Sequence, residues 1–180
     1  VFVTDAIIMA KRAVNLAGQD GLSFMLAREL RLTIHGTLGF AALTSPTFAD
    51  ALDSVRRYLH LRVPFLGMSQ SEAGDQVLVK LCTEFEVPGL YPFLAETVSA
   101  TLILLTEQLL DREDAAKHGF ALEDGKLPGV SVRLSAPEPP WYRQFSDQLP
   151  VRFEYGQPDE MMVFPRELLN VQMRLADAEA

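Results

Sequence analysis

The longest apolar segment of the chain, residues 93–110, restricts the fold more than any other feature of the sequence. Pro92 stands immediately before it, and proline is tolerated in the first turn of a helix, so the pattern predicts a helix that begins at Pro92. The apolar side of this helix is wider than the stripe of an ordinary surface helix and must be covered on more than one face. We interpret it as a central core helix. In the alternative, its second face contacts another subunit.

The same segment is close to the length that could cross a bilayer. Glu96, Glu107 and Gln108 lie within it, and a charged side chain at the centre of a spanning helix costs about 2.5–3.5 kcal/mol on insertion scales. The segment is therefore predicted to be a buried helix of a soluble protein.

Helical periodicity also dominates the first third of the chain. It predicts two helices between residues 4 and 30 and a short buried helix over residues 35–43. A further helix is predicted to begin at Thr47, because Thr47 can act as its N-cap with Asp50 three residues later. This amphipathic helix is expected to run to about His60.

The hydrophobic period changes to two after residue 64. Val77, Val79 and Leu81 alternate as in a strand with one buried face, and residues 72–75 supply the turn from a preceding strand over residues 65–69. Val130 to Leu134 and Val151 to Tyr155 show the same alternation, and a turn at residues 156–159 leads into a further apolar segment, Met161 to Phe164. The order of N-terminal helices, β-hairpin, long central helix and further short strands predicts an α+β fold with a mixed or antiparallel sheet.

The charge balance opposes direct binding to nucleic acid. Lys and Arg number 16 against 24 Asp and Glu, for a formal net charge of −8, so phosphate is repelled on average. The single cysteine, Cys82, cannot form an internal disulfide, so the sequence gives no sign of an oxidising compartment. A cytoplasmic location is therefore expected. Because apolar Leu81 precedes it, Cys82 is expected to be a core thiol.

The sequence contains no local signature of catalysis. Neither a phosphate-binding loop nor a Gly-x-Ser-x-Gly elbow is present, and His35, His60 and His118 lie in no zinc-ligand pattern. We therefore predict no catalytic residues, no metal and no cofactor, and a protein that is not an enzyme.

Polar residues within apolar surroundings are the candidate ligand-binding residues, because burying such groups is costly unless a partner satisfies them. For Glu96 the alternative is a solvent-facing residue in the first turn of its helix, where a negative charge is favourable. The candidates are His35, Arg62, Tyr91, Glu96, Tyr142 and Arg152.

Two segments carry a resemblance to a known family. The first is residues 35–52, HGTLGFAALTSPTFADAL, continued by Arg57-Tyr58-Leu59, and the second begins with LSAPEPPWY at residues 134–142. In order and spacing they resemble the amino-terminal domain, often labelled "arabinose-binding", of one branch of the bacterial AraC/XylS transcription regulators. The similarity extends from about Leu22 to Leu169.

The resemblance implies a module that binds a small effector and forms a homodimer. Residues 1–172 would form this domain, and residues 173–180 would begin a linker to a helix-turn-helix domain that contacts DNA. Because the sequence starts at Val1 rather than Met, we expect it to be an excerpt. The expected dimer surface lies on the long helix, at Leu94, Leu102, Leu105 and Leu109.

The sequence leaves open the identity of the effector and two alternative functions. The net negative charge favours a neutral or cationic effector. A small-molecule enzyme is the first alternative to a sensor, because an α+β domain with a pocket could also carry catalysis. A dimerisation module without any effector is the second.

Overall fold

A computed structural model describes residues 3–17, 21–61, 63–83 and 89–176, which form six α-helices and a five-stranded sheet. The α+β class is confirmed. The helices are α1 (Val3–Ala17), α2 (Leu22–Glu29), α3 (Gly36–Thr44), α4 (Phe48–Tyr58), α5 (Tyr91–Leu109) and α6 (Arg112–Lys117). The strands are β1 (Leu66–Ala73), β2 (Gln76–Thr83), β3 (Ser131–Arg133), β4 (Arg152–Glu154) and β5 (Met161–Pro165).

The start of α4 is fixed by a capping box. The Thr47 hydroxyl accepts a hydrogen bond from the Asp50 backbone N–H at 3.3 Å, and the Asp50 carboxylate accepts one from the Thr47 N–H at 3.1 Å. Two backbone donors at the helix N-terminus are thereby satisfied. The predicted cap is confirmed, and the helix buries Phe48, Ala51 and Leu52 against the core.

A two-residue turn, Gly74-Asp75, joins β1 to β2 in the predicted hairpin. Gly74 has φ +59°, a left-handed conformation that glycine adopts without steric cost. Val79 and Leu81 are buried on one face of β2, as predicted. Cys82 is exposed, so the expectation of a core thiol is wrong: in a strand, a residue that follows a buried neighbour points to the opposite face.

The sheet is mixed, with strand order β1-β2-β5-β3-β4. Strands β3 and β4 pair in parallel, with Ser131 opposite Arg152, whereas the other neighbours pair antiparallel. Of the two sheet types predicted, the structure has the mixed one.

Helix α5 is the central helix of the core. Ala100 and Ile103 are 0% exposed, and Thr101, one position from Ala100, is also buried, so the helix is covered on more than one face. The predicted core helix is confirmed. In the described parts of the chain, no helix has both the length and the apolar character needed to cross a membrane.

Residues 171–174, which we call the C-terminal segment, lie between the start of α4 and the end of α5. The Met173 N–H donates to the Pro46 carbonyl at 3.3 Å, and the Arg174 N–H donates to the Leu109 carbonyl at 2.6 Å. Met173 is only 2% exposed. The first two residues of the expected linker are therefore held against two helices, and residues 177–180 lie outside the described residues.

Candidate ligand-binding cavity

A cavity of about 150 Å³ lies within the core. Helices α3, α4 and α5 supply most of its wall, through residues such as Ala42, Leu52 and Leu102. Met162 of β5 and Met173 of the C-terminal segment also line it. The cavity therefore brings together elements from both ends of the chain.

The wall of the cavity is almost entirely apolar. Its threonines, Thr97, Thr101 and Thr106, each donate their hydroxyl proton to the carbonyl four residues earlier in α5, at 2.7–2.8 Å. No Asp, Glu, Lys or Arg is among the described residues that line it. The cavity can therefore surround a hydrocarbon group but offers no counter-charge from those residues.

Among the described candidates for ligand binding, His35 alone lines the cavity. It closes a short 3₁₀ turn, Leu32–His35, directly before α3, and its side chain is half-buried. Gly36, with φ +58°, then lets the chain enter α3. This local geometry carries the imidazole to the cavity wall.

Three of the four leucines predicted at a dimer interface, Leu102, Leu105 and Leu109, also line the cavity. Leu105 is 9% exposed and Leu109 7%, so in this conformation they have almost no surface to offer a second subunit. Leu94 packs elsewhere, against a small cluster that contains Phe65. A dimer interface on α5 stays a prediction, and only Leu94 and Leu102 keep partial exposure for it.

Glu96 is buried, so the solvent-facing alternative is wrong for this residue. Its carboxylate accepts one hydrogen bond from the Ser23 hydroxyl of α2 and another, of 2.6 Å, from the Tyr155 hydroxyl. Burial raises the pKa of Glu96, and the two hydrogen bonds offset part of that rise. Both oxygens are thus satisfied by the protein itself.

Tyr142 lies next to this buried acid. Its ring packs edge-on against Tyr155, with ring centroids 5.0 Å apart, and its hydroxyl accepts a hydrogen bond from the Phe153 N–H at 3.0 Å. Glu96 and Tyr142, both predicted from sequence, are thus brought together through Tyr155. Neither lines the cavity, and their contacts indicate a role in packing.

Two other candidates, Tyr91 and Arg152, are not among the residues that line the cavity. Burial raises the pKa of Tyr91 to about 12, and the neighbouring Glu160 adds to the rise. Arg152 is exposed on β4. Arg62 lies outside the described residues, so its predicted role is not tested.

The sequence analysis missed the residues that shape the cavity. Gly39 and Ala42 of α3 and Ala51 of α4 are small residues on inner helix faces, where larger side chains would fill the space. The spacing of Thr97 and Thr101 along α5 was a second signal, because polar residues four apart share a helix face. Either pattern could have indicated an internal cavity.

The described residues do not assemble a metal centre or a catalytic pair. Across these ranges, no three His, Cys, Asp or Glu side chains converge as metal ligands. His35 has no carboxylate among the described residues of the cavity wall. The arrangement suits binding more than acid–base chemistry.

Comparison with known proteins identifies a family model, a related regulator and a similar solved structure. The family model described as "Arabinose-binding domain of AraC transcription regulator, N-term" matches residues 3–173. The ornithine utilization regulator of Pseudomonas aeruginosa is 28% identical over 167 residues, which cover 92% of this chain and 45% of that protein. The crystal structure of the transcriptional regulator CdpR from Pseudomonas aeruginosa superposes with a TM-score of 0.70 at 19% identity, over 94% of this chain and 51% of that one.

The superposition on CdpR, at 19% identity, shows a shared fold and nothing further. The chain spans about half the length of each of these two regulators. One of these proteins is named as a regulator of ornithine utilization and the other as a transcriptional regulator.

Proposed function

Because this chain belongs to the family of N-terminal arabinose-binding domains of AraC transcription regulators, we propose that it senses a small effector that occupies the cavity between α3, α4 and α5. The family is one of regulatory domains and not of enzymes. DNA would be contacted by a helix-turn-helix domain elsewhere in the regulator, which agrees with the net charge of −8 on this chain. A regulator of this kind acts in the cytoplasm, where bacterial DNA lies.

The observation that carries the proposal is the position of Met173. Its side chain lines the cavity, while its backbone N–H is bonded to Pro46 at the start of α4. A ligand that fits only one arrangement of Met173 stabilises that arrangement of the C-terminal segment. In the regulator, this segment leads from the sensing domain, so effector binding and the placement of the DNA-binding domain become linked.

The name of the ornithine utilization regulator makes ornithine a first compound to test. Ornithine carries two ammonium groups and one carboxylate. Burying it requires a partner for each of these charges. Ornithine is therefore tested in the screen described below together with the other classes of compound.

We also propose that the regulator is a homodimer, as the family resemblance implies. In a symmetric dimer the same surface of both subunits would meet. Of the four leucines predicted at the interface, Leu94 and Leu102 are half-buried and still expose surface that a second subunit could contact.

A thermal-shift screen tests the sensing function. Amino acids including ornithine, sugars, fatty acids and aromatic compounds are added to this chain, and a bound effector raises the unfolding temperature because it binds only the folded state. For each hit, hydrogen exchange is then measured at the Met173 and Arg174 amides. We expect slower exchange at both amides with effector bound.

Two results would contradict the proposal. A module that only dimerises shows no thermal shift with any class of compound. An enzyme would convert the hit, and product would appear on incubation with this chain.

A further inference from the structure

The lining of the cavity restricts the chemistry of its ligand. We infer that the ligand group held there is uncharged and hydrocarbon-like, of about the size of one six-membered ring. This inference rests on the proposed sensing function and narrows the effector to a chemical class. Of the neutral and cationic effectors that the net charge favoured, it selects the neutral class.

Charge is the first argument. An ion moved from water into an apolar cavity loses its hydration, and a nearby opposite charge is needed to offset that loss. The described wall contains no Asp, Glu, Lys or Arg. An ammonium inside would therefore meet no carboxylate on these residues, and a carboxylate would meet only the half-buried imidazole of His35.

Hydrogen-bonding capacity is the second argument. The hydroxyl protons of Thr97, Thr101 and Thr106 are already donated to carbonyls of α5. Sugars and amino acids carry several polar groups, each of which costs free energy when it is buried without a partner. Leu52, Leu105 and Met162, which also line the cavity, present only apolar atoms or a thioether sulfur.

Size is the third argument. The volume of about 150 Å³ equals that of engineered apolar cavities in other proteins that stay dry and bind benzene. A single ring or a short branched chain fits this space. A larger effector would place only its apolar end here.

Methionine methyl groups provide a direct measurement. Met162 and Met173 line the cavity, whereas Met9 and Met25 are exposed on α1 and α2. Toluene is titrated into protein labelled with ¹³C at the methionine methyls, alongside benzylamine, benzoate and L-leucine. We expect toluene to shift the Met162 and Met173 signals and leave those of Met9 and Met25 in place, with a Kd at least about tenfold below those of the charged compounds.

A matched pair of substitutions locates the binding. Ala42 lines the cavity and is buried, whereas its neighbour Ala41 is exposed on the same helix. Ala42→Leu should abolish the toluene-dependent shifts, and Ala41→Leu should retain them. Should Ala42→Leu fail to fold, the smaller addition Ala51→Val replaces it, with Ala49→Val on α4 as its control.

The outcomes separate the ligand class from the sensing function. Tighter binding of benzylamine, benzoate or L-leucine than of toluene at Met162 and Met173 overturns the ligand class and leaves the sensing function standing. Unchanged Met162 and Met173 signals with toluene, or toluene shifts that persist in Ala42→Leu, also overturn the ligand class. The sensing function falls as well only if the wider thermal-shift screen yields no bound compound.

Discussion

The Tyr155 hydroxyl donates a hydrogen bond of 2.6 Å to the carboxylate of Glu96, which is only 7% exposed. Tyr155 directly follows β4, so the contact joins the end of that strand to the central helix α5. Ser23 of α2 donates to the other carboxylate oxygen, so three separate parts of the chain meet at one buried acid. This arrangement has consequences for stability that can be measured.

Removing the charge of Glu96 should change how stability depends on pH. Burial raises the pKa of Glu96 above its ordinary value of 4.5, so just above that pH the folded protein binds more protons than the unfolded chain. The contribution of this group to stability therefore declines as the pH rises through 4.5 towards the higher folded-state pKa. In Glu96→Gln this decline should disappear.

Urea unfolding of wild type and Glu96→Gln at several pH values, from about 4 to 8, measures the effect. The amide can still accept the bond from Tyr155, so the variant is expected to fold. Equal pH dependence in the two proteins would show that folding does not shift the titration of Glu96.

Removing the Tyr155 hydroxyl should destabilise the fold. Tyr155→Phe leaves one carboxylate oxygen of Glu96 without its donor, at an expected cost of about 1–3 kcal/mol in the free energy of unfolding. Tyr58→Phe, at an exposed position of α4, is the control and should change stability by less than about 0.5 kcal/mol. Urea unfolding of both variants at neutral pH makes the comparison, and equal effects would count against a structural role for the contact.

Truncating Met173 should weaken both the cavity wall and the C-terminal segment. Met173→Ala enlarges the cavity and is expected to cost about 2–5 kcal/mol of stability. Hydrogen exchange at the Arg174 amide, which donates to Leu109, should become faster relative to that at core amides. Met25→Ala, exposed on α2, should alter neither quantity, and an Arg174 amide that exchanges as in wild type would argue against coupling between the cavity and the segment.

A charge on α5 should dissociate the proposed homodimer. Leu94 is half-buried, and Leu94→Asp is expected to give a monomer in light scattering with helix content retained by circular dichroism. Leu122→Asp, exposed in the loop after α6, is the control and should remain dimeric. A wild-type protein that is monomeric at high micromolar concentration would contradict the proposal.

Local signals made the helices and the hairpin predictable. The capping box at Thr47 and Asp50 depends on residues three apart, and Gly74 marks a turn between two adjacent strands. The core position of α5 followed from its own apolar width. Each of these features is determined by neighbours in the chain, so a single sequence contains enough information.

Local patterns on α3, α4 and α5 could indicate a cavity, but they do not encode which distant residues meet there. Ala42, Leu102 and Met173 meet there, although more than fifty positions separate each from the next. Glu96 was predicted to bind ligand, with a solvent-facing position as the alternative, yet Ser23 and Tyr155 from distant segments bury and satisfy it. Of the predicted ligand-binding residues that the structure describes, only His35 lines the cavity.

The wall contributed by Met173 also bears on when the cavity is completed during synthesis. A chain is synthesised from its N-terminus, and its parts fold as they emerge from the ribosome. Helices α3, α4 and α5 are complete by residue 109, but residues 171–174 are among the last to appear in this sequence. If the cavity is the effector site proposed above, a nascent chain completes its wall only after residues 171–174 have been synthesised and have joined the two helices.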